Sequence, residues 1–294
     1  MPLTKQEKGF KAIAYAFMCA LAVAALAPFV LLISGSLTDN AAAVRDGYKF
    51  FPSEFSLEAY RYIFIHWDLI GKAYGITALT TAVGTLAALL LVSTLGFALS
   101  QRVPGRKVLL FMVVFTMLFN GGIVSSFMIY SNVIKIKNSI LALIVPNLLL
   151  NGFTVVLVRS YFLQNIPPEL LEAAEMDGAG QLRVYWKIAM PLATPILATI
   201  GLLTAVAYWN DWVNGLYYIT DPNLYTIQLL LNRINNNIQF LATKPGVVIG
   251  AGAPLPSVTV RMAIAAVAVV PIIVIYPFFQ KYFAKGITLG GVKG

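Results

Sequence analysis

Six long apolar runs separated by polar segments set the first expectation for this chain. The first, Ala12 to Ile33, is free of charge for 22 residues, and as a helix it covers about 33 Å, enough for a ~30 Å hydrocarbon core. Similar runs lie at 73–99, 108–130, 139–163, 193–219 and 262–283. They predict an all-α integral membrane fold of six transmembrane helices in one domain, 1–294. The run at 73–99 is rich in Thr, Gly and Ala, which allow close packing of helices in lipid. The run at 108–130 is interrupted by Asn120-Gly121-Gly122. A broken helix at membrane depth is tolerated where protein or a water-lined cavity satisfies the backbone, so Asn120 is a candidate lining residue. Lys5, Lys8 and Lys11 precede the first run, and Ala25-Leu26-Ala27 offers a cleavage pattern, so a secretory signal peptide is an alternative there. The run continues to Ile33, and Pro28 follows the supposed cut directly, which favours a retained span.

Composition agrees with the pattern. The chain of 294 residues is 59% hydrophobic and only 11% charged, with a mean hydropathy of +0.79, against roughly 25% charged residues in soluble domains. The net charge of +9 is spread over the ends of the apolar runs, as lipid headgroups require, and does not form the patch expected for a nucleic-acid partner. Cys19 and His66 are the only residues of their kinds, so no disulfide, metal cage or Cys–His catalytic pair is expected. The only Gly-Lys pair, Gly71-Lys72, has His66 where a phosphate-binding loop places its first glycine. Energy for uphill movement must come from another chain.

Lys and Arg counts set the orientation. With the N-terminus inside, the cytoplasmic segments hold 12 of the 21 basic residues, most of them in short loops, which fits the positive-inside bias. This predicts N-in/C-in topology and puts the segment 167–191 in the cytoplasm. That segment, PPELLEAAEMDGAGQLRVYWKIAMP, is the one strongly polar insert between closely spaced runs. Pro167-Pro168 suits a first helical turn, and Glu169 and Glu172 follow where the helix dipole favours carboxylates. Leu170, Leu171 and Ala174 make an apolar face, and Gly178 and Gly180 break the helix. Ala173, Ala174, Gly178 and Ala179 then form a low knob suited to a cleft in a partner. The alternative, a loop lying on the headgroups, suits this segment less well: Glu169, Glu172, Glu175 and Asp177 outnumber Arg183 and Lys187, and an anionic leaflet repels an acidic surface.

Glu172-Ala173-Ala174, Gly178, Ile188 and Met190-Pro191 stand at spacings that resemble the EAA loop of ABC importer permeases, with Met190 in place of leucine. Asp177-Gly178-Ala179 and the C-terminal stretch from Tyr276 through Gly290-Gly291-Val292-Lys293-Gly294 are similar to the carbohydrate-uptake, maltose-type branch. The resemblance implies a type I ABC importer permease fold and one permease of a heterodimer in the bacterial inner membrane, working by alternating access. Its implied partners are a second permease subunit, two ATPase subunits, an extracytoplasmic solute-binding protein, membrane lipid and a carbohydrate, with an oligosaccharide such as an alginate fragment conceivable. This chain would bind no cofactor, since ATP and Mg belong to the partner ATPase. Glu172 would pair with a basic residue of the ATPase, Ala173 and Ala174 would pack in its groove beside Asp177 and Ala179, and Gly178 would make the turn. Gly290, Gly291 and Lys293 would reach between the ATPases.

For the solute path, Asn147, Asn151 and Thr154 fall on one face of a continuous helix, as do Asn210, Asn214 and Tyr217. Amides in lipid face the bundle interior or water, where they either join helices or contact solute. Asp211, Trp209 and Trp212 lie near the outer boundary, where an aromatic belt and sugar stacking are alternatives. Arg159 is expected to snorkel. An ATP-independent secondary transporter or channel would need coupling carboxylates at mid-span, and the runs hold none besides peripheral Asp211. An intramembrane enzyme would need a nucleophile and base that the runs lack.

Overall fold

The computed structural model describes residues 5–243 and 258–286. Their regular structure is helical, with one isolated antiparallel bridge between Thr38 and Phe55. Contacts gather the chain into two units, Met1–Ile70 with Leu231–Val270, and Gly71–Leu230 with Pro271–Gly294.

In the first unit, α1 (Lys5–Ser36) is exposed and apolar all round, through Phe10, Ile13, Phe17, Leu21, Leu26 and Phe29. Such a helix has no face that favours water, and hydrocarbon is the solvent that suits it. Beyond α1 the polar groups pair locally. Thr38 Oγ1 donates to the Ser34 carbonyl at 2.7 Å. Asp39 Oδ1 accepts the N–H groups of Ala41 and Ala42 and so caps α2 (Asn40–Asp46). Arg45 bridges Asp46 and Glu54 at 3.0 Å each, and its hydrogen bond holds the Asp46 carboxyl below the usual carboxylate range. The short helix α3 (Glu58–Ile65) buries Ala59 and Ile63 and is tied to the end of α1 by the Ser36 Oγ–Tyr60 Oη hydrogen bond of 2.8 Å.

The second unit is organised by α4 (Trp67–Ser100), whose small residues admit close neighbours. A Cβ at Gly96 would lie 2.7 Å from Val158 Cγ1 and 3.2 Å from the Arg159 backbone nitrogen, so α4 and α8 (Gly152–Asn165) meet nearly backbone to backbone. Between them run α5 (Arg106–Leu118), α6 (Gly122–Met128), which continues as a π-helical turn over Ile129–Val133, and the single turn α7 (Leu141–Ile144). After α8 come α9 (Pro168–Met176), α10 (Gln181–Val184) with a π-helical turn Tyr185–Ala189, α11 (Met190–Leu192) and α12 (Thr194–Trp209). Next are α13 (Val213–Tyr218), α14 (Ile227–Thr243) and α15 (Val258–Gly286), the last two running from one unit into the other. The main core of the second unit combines Val92, Phe97 and Leu99 of α4, Val155, Val158 and Phe162 of α8, and Val184, Tyr185, Ala189 and Ala193 from the polar insert and its exit.

Among the described residues, three helices are long and apolar enough to cross a membrane, Gly9–Ser36, Trp67–Ser100 and Val258–Pro277. Two bent pairs qualify jointly, Arg106–Leu118 with Gly122–Val133 at 118°, and Gln181–Leu192 with Thr194–Trp209 at 78°. The expected continuous helix over 139–163 is not formed. It divides into α7 and α8, because Pro146 lacks an N–H, Asn147 takes a left-handed φ of 63°, and Asn151 caps α8 by accepting the Phe153 N–H at 2.9 Å. The helical face that would have aligned Asn147, Asn151 and Thr154 is therefore absent. Asn210, Asn214 and Tyr217 likewise do not share one helix, since α12 ends before Asn210 and α13 begins at Val213.

Two substitutions test this packing. Gly96→Val should overpack the α4–α8 contact, costing about 1–3 kcal/mol and lowering the thermal midpoint of the purified protein. Tyr185→Phe removes the hydroxyl lying 2.7 Å from Ser93 Oγ, with an expected loss of about 0.5–1.5 kcal/mol, read from the same melt. An unchanged midpoint for Gly96→Val would show that the contact yields.

Candidate functional site

The insert 167–191 combines exposed residues with others that pack in the core of the second unit. Pro167 is extended, and Pro168 opens α9 at a position where its missing N–H costs nothing. Glu169 lies in the first turn, where the dipole favours it. The helix ends in a complete Schellman closure: Gly178 takes φ +79°, its N–H donates to the Glu175 carbonyl at 2.9 Å, and the Ala179 N–H donates to Ala174 at 2.9 Å. Ala174 and Ala179 then pack together with Leu171 on the core described above. Gln181 Nε2 donates to Glu175 Oε1 across the elbow, and α10 leads on to the buried Tyr185.

This geometry divides the expected docking residues. Ala174 and Ala179, expected in the knob, are half-buried and pack against the chain's own core. Glu172, Ala173, Asp177 and Gly178 are exposed. Three further apolar side chains of the insert, none of them among the expected docking residues, are also exposed, Met176 at 88%, Leu182 at 76% and Trp186 at 51%. The signal was present in Leu182 and Trp186, four residues apart inside an otherwise polar segment. The insert therefore exposes both acidic and apolar side chains while other residues of it pack on the core. Gly290, Gly291 and Lys293 lie outside the described residues.

The polar residues assigned to a solute path separate into two groups. Asn214 is buried, and its Nδ2 donates to the Pro146 carbonyl at 2.9 Å, so it joins α13 to the broken segment after α7. Asp211 Oδ1 accepts the N–H groups of Val213 at 3.1 Å and Asn214 at 3.3 Å, closing the first turn of α13. Asn120 Oδ1 accepts the Gly122 N–H at 2.9 Å at the break between α5 and α6. Asn120, Asn147, Asn151, Asn210 and Trp212 are exposed; of these, Asn210 Oδ1 accepts from Gln228 at 3.3 Å. Arg159, expected to snorkel, donates its Nε–H to the Leu99 carbonyl at 3.0 Å, which places a cation on the last turn of α4, where the helix dipole favours it. Among the described residues no group of His, Cys, Asp or Glu is placed to hold a metal ion.

The chain is similar to known proteins over nearly its whole length. The chain is 37% identical over 289 residues to the polygalacturonan/rhamnogalacturonan transport system permease protein YtcP of Bacillus subtilis (strain 168), covering 97% of this chain and 98% of that one. It is 33% identical to Protein LplC of the same organism, covering 99% and 97% respectively. A chain in the crystal structure of a bacterial ABC transporter involved in the import of the acidic polysaccharide alginate superposes with a TM-score of 0.79 at 29% identity, over 96% of this chain and all of that one. The family of the binding-protein-dependent transport system inner membrane component matches residues 84–289, and to that family this chain belongs.

Proposed function

We propose that this chain is one permease of an ATP-driven importer for an acidic oligosaccharide, and that the insert 167–191 is where a separate ATPase docks. The observation that carries the proposal is the exposed acidic and apolar surface of the insert on a buried base, in a chain of this transport family. A docking element must be rigid to transmit force, and the Schellman closure with the Tyr185–Ser93 hydrogen bond supplies that rigidity. Glu172, Ala173, Asp177 and Gly178 present the polar part of the surface, and Met176, Leu182 and Trp186 the apolar part. ATP and Mg belong to the partner.

Six spans with both termini inside fit this role, the third, fourth and fifth being broken helices that border a polar path. Asn120, Asn147, Asn151, Asn210 and Trp212 line that path, with Asp211 and Asn214 holding its walls. A second permease completes the pathway, and an extracytoplasmic binding protein delivers the solute. The acidic class is favoured by two relatives whose names specify polygalacturonan/rhamnogalacturonan and alginate. It is favoured also by the nine basic against six acidic residues in the segments assigned to the outside. The setting is the bacterial cytoplasmic membrane.

Charge reversal tests the docking surface. The Glu172 carboxylate makes no hydrogen bond or ion pair among the described residues, so Glu172→Lys should leave membrane insertion intact while reducing co-purification of the ATPase at least roughly tenfold. Met176→Asp should weaken the same association without changing the permease melt, and undiminished co-purification of both variants would exclude the insert as the docking site. Vesicles containing the complete transporter should accumulate oligogalacturonate only when ATP is hydrolysed. Equal uptake without hydrolysis would replace the importer by a channel or secondary transporter.

A further inference from the structure

In the first unit a groove runs along α3. Leu57, Tyr60, Arg61 and Phe64 follow at i, i+3, i+4 and i+7, one stripe of a helix, and with Ile65 they line an open, largely apolar groove of about 660 Å³. The opposite side of α3 is the one that packs, through Ala59 and Ile63. Phe64 is 76% exposed and Ile65 66%, an arrangement that water disfavours. Arg61 stands in the middle of this stripe, and its guanidinium makes no ion pair or hydrogen bond among the described residues; Glu58, one turn earlier, does not pair with it.

Two connections tie α3 to helices of membrane-spanning length. Tyr60 bonds to Ser36 at the end of the membrane-length helix α1. At the other end α3 passes through one residue, His66, into Trp67, the first residue of the span-length helix α4. Trp67 is itself exposed, as aromatic residues are at the boundary between headgroups and hydrocarbon. An amphipathic helix held where two spans leave the membrane has lipid as its immediate surroundings.

We infer that the α3 groove is a phospholipid site, with an acyl chain lying along Leu57, Phe64 and Ile65 and the lipid phosphate on the Arg61 guanidinium. Guanidinium and phosphate are matched in charge and in fork geometry, and the apolar stripe on either side of Arg61 gives the chain a place to lie. The site anchors the polar segment between α1 and α4 to the membrane surface. It needs only a chain of the inner-membrane family, holds for either direction of insertion, and is independent of the solute and of ATPase docking.

The test uses the complete transporter in nanodiscs that contain a photoreactive long-chain phosphatidylglycerol, with crosslinked peptides mapped by mass spectrometry and label on α1 as the internal reference. The peptide bearing residues 57–65 should be labelled, and an excess of inorganic phosphate should leave that label in place. Arg61→Glu should lower the label relative to α1 by roughly tenfold, Arg61→Lys should retain most of it, and Phe64→Ser should reduce it. All three change exposed side chains, and retained ATPase activity identifies properly assembled variants. If α1 is labelled but 57–65 is not, if Arg61→Glu labels like the parent, or if inorganic phosphate alone displaces the lipid, the phospholipid site is overturned. The outcome does not depend on uptake, so its failure is distinguishable from failure of the importer assignment.

Discussion

Hydrocarbon offers a backbone no hydrogen bonds, so wherever this chain leaves helical geometry it must close its own polar groups. Each break shows the means. At the α5–α6 bend, Asn120 takes the N–H of Gly122. Around Pro146, the Ile144 carbonyl accepts from Tyr208 Oη at 2.8 Å and the Pro146 carbonyl from Asn214. Between α12 and α13, Asp211 takes two N–H groups. The amides and the carboxylate that stand out in an apolar sequence are therefore largely the fittings of broken helices, and the breaks give the second unit a shape that straight spans would not have.

The same constraint explains why the insert can be polar without being loose. Its outward face carries charge and three exposed apolar side chains, while its inward face contributes Val184, Tyr185 and Ala189 to the core of the second unit. A force applied to the insert would act on α4 through Tyr185 and Ser93, and on α8 through the core they share. The close approach at Gly96 keeps α4 and α8 in a fixed relation, since side chains there would hold them apart. Arg159 closes the end of α4 at the same level.

Much of the architecture could be read from residue order alone. Apolar run lengths announced a membrane protein, and the position of Asn120-Gly121-Gly122 announced the break between α5 and α6. The spacing from Glu172 to Pro191 pointed to the permease family, which the relatives then bore out. The run at 139–163 misled because hydropathy counts side chains and is blind to a proline and a left-handed asparagine that together stop a helix. Periodicity on that run then aligned Asn147 with Asn151 on a face that does not form.

What the sequence determined by itself was the solvent of this protein, the family of its insert and the turn at Gly178, all of which depend on local composition or on short fixed spacings. What only the tertiary structure decided was which side of each segment is spent on the chain's own core. Ala174 and Ala179 turn inward while Met176, Leu182 and Trp186 turn outward, Asn214 ties two segments together, and Arg159 caps a helix. α3 keeps Leu57, Phe64 and Ile65 uncovered beside Arg61. The contacts of Arg159 and Asn214 reach partners 60 and 68 residues away, Leu99 and Pro146, and no local pattern encodes a contact at that distance.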